Sequence, residues 1–360
     1  MRRRAPLVAA LVVAGIALAL VAAGRGHERP PAARTAARHA AQAFLARYVA
    51  ADGRVVRRDQ GGDTVSEGQA YAMLLAVAIG DERRFARVWG WTVQQLRRPD
   101  GLLAWRWADG AVTDPQPAAD ADLDAARALV LAGWRFHRPA WARAGVALGR
   151  AVLRGETARV GRERVLVAGP WARSTLAVNP SYYAPRALRA LSRASGDRGF
   201  EAVRRSGLRI VRALQAHRSG LAPDWARATP GGAMPTGKPG VPQAQAAYGL
   251  DAVRVPVRLA EACDGATRRQ AAAPWRSLRR FRGGPPAVLD LGATPLVRWR
   301  QPAALAGAAG AAWAAGDRER ASALLDAAER LDAAHPTYYG SAWVALARVM
   351  LTTRLLGGCQ

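Results

Sequence analysis

The sequence predicts an all-α fold, a toroid of helix pairs, and three observations lead to it. From residue 36 onward apolar residues recur at i, i+3 and i+4, as Leu324, Leu325, Ala328 and Leu331 do in "ERASALLDAAERLDAA". The pattern divides into about twelve segments of helical length, and strand-like alternation is confined to short pieces. Polar and aromatic motifs gather at the joints: "GDTVSEGQAY", "AADADLDAA", "VNPSYY", "LAPDW", "AAYGLDAVR" and "PTYYGSAW". Helices paired into a ring place alternate joints on one face, where these motifs would converge.

Taken in order, the first helix is expected over 36–50. The second, over 66–79, follows Thr64-x-x-Glu67, the spacing of a capping box. It nevertheless carries Gly68 in its first turn, a cost of about 1 kcal/mol against alanine. The periodicity then predicts 83–97, 120–136, 140–154, 184–195 and 199–216. The eighth helix, over 243–262, contains Pro256, which kinks it or moves its true start. Four more are expected over 265–281, 302–315, 317–333 and 339–356. Extended pieces are expected at "GRVVRR" (53–58), "LLAWRW" (102–107) and "RVLVAG" (164–169). No repeat and no internal linker is visible, so residues 36–360 read as one domain.

Ahead of that body, residues 1–24 hold three arginines and then an apolar run, the pattern of an export signal with Val21-Ala22-Ala23 as a cleavage site. The run is also long enough to serve as an uncleaved membrane anchor. Residues 25–35 read as a Pro- and Arg-rich tether. The body is therefore expected to be secreted or held at the outer face of the cytoplasmic membrane. Cys263 and Cys359 allow one disulfide but no framework. The five histidines are scattered, so neither a metal site nor a cofactor is expected.

The formal charge is +26, from 53 basic and 27 acidic residues. Lys238 is the only lysine, and the arginines are spread along the whole chain. This looks like a coding preference for arginine and argues against nucleic-acid binding, which would concentrate charge in one stripe. Attraction to an anionic cell-wall or membrane surface remains physically sound at this charge.

The acidic residues of the joints allow two readings each. Glu67 is either the reciprocal partner of a capping box or a proton donor. As a donor it needs burial or a second carboxylate, because a helix N-terminus lowers a carboxyl pKa. Asp120 and Asp124 are i,i+4 on one helix face, with Asp122 pointing elsewhere; they fit N-cap partners or that second carboxylate. Asp251 is either one half of a surface ion pair with Arg254 or a reactive base. Twelve tryptophans against five phenylalanines is unusual for a core, since a buried indole N–H needs a partner. Trp105, Trp107, Trp171, Trp225, Tyr182, Tyr183, Tyr338 and Tyr339 sit in or beside joints, where flat faces with polar edges suit sugar rings. Trp313 and Trp343 are expected in the core.

These blocks resemble glycoside hydrolase family 8, the endoglucanase-type family that includes the cellulase of bacterial cellulose-synthesis operons. "VSEGQAYAMLLAV", "ADADLDAARALVLAGWRF", "VNPSYYAPRAL", "GLAPDW", "AYGLDAVRVPVR" and "PTYYGSAWVALA" stand in the family's order over most of residues 36–356. The resemblance implies an (α/α)6 barrel and inverting endo-hydrolysis of β-1,4-linked glucan by a cellulase-like enzyme. It implies Glu67 as general acid, Asp251 as general base and Asp120 as the group that holds the central sugar distorted and modulates the acid's proton. Tyr182, Tyr183, Trp225, Tyr338 and Arg254 follow as sugar-site residues, with Asp224 as a polar neighbour. Trp105 and Trp171 join them as aromatic candidates. Gly68 would leave room beside a bound sugar. Ala72, Ala119 and Ala125 depart from the family pattern and bear on substrate fit. Xylan, mixed-linkage glucan and chitosan are alternatives within the same chemistry. A non-catalytic glycan-binding toroid would keep the aromatic platform without an intact acid and base. A monomer is expected, with a cellulose-synthesis complex as one partner.

Overall fold

A computed structural model describes residues 31–262 and 264–357. The expected export segment, most of the tether, and both cysteines lie outside the described residues. Twelve helices of eight residues or more are present among them: α1 Pro31–Tyr48, α2 Ser66–Ile79, α3 Glu82–Leu96, α4 Ala119–Arg135, α5 Pro139–Gly155, α6 Pro185–Ser195, α7 Gly199–Leu214, α8 Arg254–Ala262, α9 Gly265–Ala272, α10 Pro302–Ala315, α11 Arg318–Ala334 and α12 Tyr338–Thr352. The even-numbered helices form an inner ring in which each touches the next and α12 closes onto α2. Each odd-numbered helix packs outside its partner. The expected toroid is the observed one.

Burial separates the two rings. α2 is buried from Gly68 to Ala78, and α12 is buried almost throughout, as a helix enclosed on all sides must be. Outer helices bury one stripe: Phe200, Val203, Ile210, Val211 and Leu214 on α7, and Ala321, Leu324, Leu325 and Ala328 on α11. α10 is alanine-rich because it approaches α8 closely. A Cβ at Gly307 would lie 2.2 Å from the Val253 carbonyl oxygen, and one at Gly310 would lie 2.8 Å from the Val257 nitrogen.

Several expectations shift. α1 begins at Pro31, inside the segment expected as a tether. The helix expected over 243–262 begins only at Arg254, so Pro256 sits in its first turn, where its missing N–H is harmless. Ahead of it the chain is irregular and bridges at Tyr248 to Leu289. The 265–281 segment breaks into α9 and a four-residue turn, Trp275–Leu278, at Pro274. Three small antiparallel sheets decorate the ring: β1 Thr64–Val65, β2 Arg106–Ala108 and β3 Ala111–Asp114; β4 Thr157–Val160 and β5 Glu163–Leu166; β6 Ala177–Val178, β7 Trp225–Thr229 and β8 Gly232–Thr236. The 53–58 piece makes only an isolated bridge at Val55. Among the described residues no helix is long and apolar enough to cross a membrane.

Candidate active site

The inner helices run parallel, and their N-terminal turns carry the joint motifs. Glu67 lies in the first turn of α2, Asp120 in that of α4, Arg254 opens α8 and Tyr338 opens α12. A pocket of about 360 Å3 is lined by Glu67, Tyr71, Asp251, Arg254, Tyr338 and Tyr339, among others.

Glu67 is not a capping residue. The N-cap of α2 is Val65, without a side-chain bond, and the Thr64 hydroxyl donates instead to the Val55 carbonyl at 2.8 Å. Gln69 ties the same loop down, accepting from Val55 N at 2.6 Å and donating to Thr92 Oγ1 at 2.9 Å. Pairing of β1 with β2 brings Trp105 beside the helix start, and its indole N–H donates to Glu67 Oε1 at 3.3 Å. Glu67 Oε2 is buried without a hydrogen-bond partner. Burial first, and then the negative charge of Asp120, push the Glu67 carboxyl up to about 7. Desolvation therefore outweighs the helix dipole.

Arg254 joins the other two acids. Its Nη1 donates to Asp120 Oδ2 and its Nη2 to Asp251 Oδ1, each at 2.7 Å, and Nη1 also reaches the Tyr71 hydroxyl at 3.2 Å. Asp120 is buried and its carboxyl is held above the usual range, mainly by desolvation. Asp251 precedes α8 and keeps a third of its side chain exposed, at 33%. The expected Asp251–Arg254 ion pair thus forms, but on a buried guanidinium at the pocket. Below it the α4–α8 contact continues as a ladder. Asp124 pairs with Arg258 at 2.7 and 2.9 Å, and Arg127 pairs with Glu261. Asp122 points away, accepting from Leu103 N at 3.0 Å and facing the buried Glu156; desolvation holds both carboxyls well above their ordinary values.

The turn bearing Asp251 is organised by Asp224. One oxygen, Oδ1, accepts from Gly249 N and Asp251 N at 3.1 Å each and from Ala252 N at 2.7 Å. Burial and the neighbouring Asp251 push Asp224 up to about 7, against those three bonds.

A family model described as glycosyl hydrolases family 8 matches residues 31–351. The chain belongs to that family. A probable endoglucanase of Novacetimonas hansenii is 34% identical over 59% of this chain and 64% of its own length. An endoglucanase of Cellulomonas uda is 28% identical over 62% of the chain and 63% of its own. The chain thus spans under two thirds of these curated relatives. The solved endo-β-1,4-glucanase CMCax of Acetobacter xylinum superposes with a TM-score of 0.73 at 28% identity, covering 88% of this chain and 98% of the other. A β-1,3-1,4-glucanase from Paenibacillus sp. X4 shares the fold, with a TM-score of 0.79 at 20% identity over 91% and 95% of the two chains.

Of the aromatic residues expected at the sugar site of this family 8 toroid, Tyr338 lines the pocket, and the others lie beside it or in packing. Tyr182 lies under Arg254, 5.4 Å from guanidinium carbon to ring centre, and Trp225 follows 6.2 Å from Tyr182. Trp171 stands 6.3 Å beyond Trp225 and is 41% exposed. Tyr183 was expected at the sugar site and is not there. Its hydroxyl donates to the Leu166 carbonyl at 2.9 Å and its ring fills the space that Gly207 leaves open. Gly68 likewise makes room for protein rather than sugar, since a Cβ there would lie 2.8 Å from the Tyr338 hydroxyl. Trp107 packs against Trp91 at 5.5 Å, with the Arg54 guanidinium 5.0 Å from its ring. Trp343 is core as expected, whereas Trp313 is partly exposed with Arg318 stacked 3.7 Å from its ring. Sequence reasoning missed Trp299, 52% exposed on the pocket wall, and Arg57, also on that wall, held by Asp63 at 2.7 Å. The available signal for Trp299 was a tryptophan between two arginines, outside every periodic segment. Among the described residues no acidic, histidine or cysteine cluster could hold a metal.

Proposed function

We propose that the protein is an endo-β-1,4-glucanase acting on cellulose-like chains with inversion, with Glu67 as general acid and Asp251 as general base. One observation carries the reading: a single pocket holds a buried carboxyl that keeps its proton near neutrality and a second carboxylate open to water. The printed names of the Novacetimonas, Cellulomonas and Acetobacter relatives support the substrate class.

In this reading Glu67 gives its proton to the glycosidic oxygen as the bond to the anomeric carbon breaks. Water attacks that carbon from the opposite face and passes a proton to Asp251. Inversion needs the two carboxyls about 6.5–9.5 Å apart, so that water fits between base and sugar. Asp120, fixed by Arg254, adds the charge that helps keep Glu67 protonated, and it faces the central sugar. Arg254 aligns base and modulator through one planar fork, which a lysine cannot reproduce. Tyr182, Trp225 and Trp171 supply stacking faces on one side, and Tyr338 and Trp299 on the other. The segment 1–24 supports export of the enzyme.

The test is Glu67→Gln on carboxymethylcellulose. A loss of kcat by about 10³-fold or more is expected, with cello-oligosaccharide binding kept. In the wild type kcat/KM should fall above pH 7 as Glu67 loses its proton. Wild-type turnover in the variant, or a β-anomer as the first product by NMR, overturns the assignment.

A further inference from the structure

We propose that a cavity on the outer wall of the toroid binds a multiply charged phosphate group. The cavity, about 610 Å3, lies between the end of α5 and the β4–β5 hairpin, and Arg150, Arg154, Arg159, Arg164 and Arg173 converge on it.

Two secondary-structure rules are broken there at once. Arg150 and Arg154 are i,i+4 on α5, a spacing at which like charges repel. The hairpin register sets Arg159 directly opposite Arg164, where like charges again destabilise the pair. Among the described residues Asp197 is the one acid on the cavity, against five arginines. Among the described residues none of the five guanidinium groups forms an ion pair or donates a hydrogen bond. The nearby acids are engaged elsewhere: Glu163 pairs with Arg209, and Glu201 with Arg204 at 2.6 Å. Asp197, the one acid lining the cavity, accepts from Gly199 N at 2.7 Å.

A coding preference explains many arginines but not five unpartnered ones around one concavity. A second hollow, lined by Arg280, Arg282, Arg298 and Arg300, differs in part, since two of its four arginines are engaged. There Arg280 donates to the Ala293 carbonyl and stacks on Phe281 at 4.9 Å, and Arg300 donates to the Arg282 carbonyl at 3.4 Å. Those side chains hold their own loop together.

Guanidinium forks match phosphate oxygens in bidentate geometry, and five of them exceed the charge of one carboxylate or one phosphate. The ligand therefore carries several phosphate charges, either as a free polyphosphate or clustered on the headgroups of an anionic lipid surface. The site is far in sequence from Glu67 and Asp251 and does not depend on the proposed reaction.

The probe is inorganic tripolyphosphate, titrated calorimetrically into the folded protein at two salt concentrations. Saturable 1:1 binding is expected. Arg159→Gln/Arg164→Gln should weaken it by 10-fold or more at a thermal midpoint no lower than that of the wild type, because the variant removes a like-charge pair. Arg282→Gln/Arg298→Gln, in the second hollow, should change it by less than 2-fold. Equal weakening in both variants means general surface charge and overturns the proposal, as does non-saturable binding. A second arm sediments the protein with phosphatidylglycerol vesicles. Capture lost in the 159/164 variant and competed by tripolyphosphate assigns the lipid source, and tripolyphosphate binding without capture assigns the free one. Binding of neither probe overturns the proposal.

Discussion

Replacing Asp224 separates the shape of the proposed base's turn from its charge. Asp224→Ala strips the acceptor from three backbone N–H groups at once, those of Gly249, Asp251 and Ala252. Each bond to the neutral acceptor contributes about 0.5–1.5 kcal/mol, and water from the pocket restores part of that. The turn then relaxes, and a shift of about 1 Å at Asp251 costs on the order of 100-fold in kcat/KM. Asp224→Asn differs. Its carbonyl keeps the Oδ1 contacts, and its NH2 stands where the protonated oxygen would be. Because Asp224 is pushed up to about 7, the wild-type group is mostly neutral at pH 5.5 and asparagine mimics it there. On carboxymethylcellulose at pH 5.5 the alanine variant should lose about 100-fold in kcat/KM and the asparagine variant less than about 5-fold. Equal damage in both variants, or wild-type activity in the alanine variant, would refute the reasoning.

Two further outcomes follow from packing and burial. Gly68→Ala should lower the thermal midpoint although alanine is the better helix former, because its Cβ would meet the Tyr338 hydroxyl at 2.8 Å; overpacking costs about 1–3 kcal/mol against a propensity gain of about 1. Adding Tyr338→Phe should restore the midpoint, and a double-mutant cycle with no coupling would refute the contact. Glu156 is buried against Asp122 with its carboxyl well above the ordinary range, so the folded state holds a proton that the unfolded chain releases. That pair's stability is complete in acid and declines as pH rises past the ordinary carboxylate range. Glu156→Gln should therefore raise the midpoint by about 3 °C at pH 8 and leave it unchanged at pH 4, by differential scanning calorimetry; a constant offset at both pH values would sink the idea.

What was legible in the sequence was whatever periodicity encodes. The inner and outer rings follow from helices buried all round and helices buried along a stripe, and both patterns are local. The start of α8 was not legible, because "AAYGLDAV" has helical composition and is held irregular by distant partners, Asp224 and Leu289. Thr64 shows the same limit. Its spacing to Glu67 fits a capping box, but the hydroxyl goes to Val55. Tyr183 and Gly68 were assigned to sugar for want of knowledge of the neighbours that explain them, Gly207 and Tyr338. Most of the joint motifs lie at or just before the N-termini of the inner helices, whereas "LAPDW" leads into β7.

That placement sets an electrostatic conflict which the site resolves through burial. Parallel helix N-termini favour ionised carboxylates, the wrong state for a proton donor. Four acids, Glu67, Asp120, Asp251 and Asp224, lie in or behind the pocket wall near Arg254, while Arg57 on the same wall is committed to Asp63 and the next arginine below to Asp124. With Arg57 so committed, Arg254 cannot neutralise all four carboxyls, three of them desolvated, so some keep their protons. Arg254 touches Asp120 and Asp251 and does not touch Glu67 or Asp224. The two acids out of its reach are the two pushed up to about 7. Desolvation comes first, since it also raises Asp120 despite that contact, and the reach of Arg254 acts on top of it. Arg254→Lys, able to contact only one partner well, should blur the division between proposed acid and base: kcat/KM on carboxymethylcellulose should fall by about 100-fold, with the basic limb of the pH profile moved from its wild-type position. An unchanged limb would mean that burial alone, and not the competition for one cation, decides which carboxyl keeps its proton.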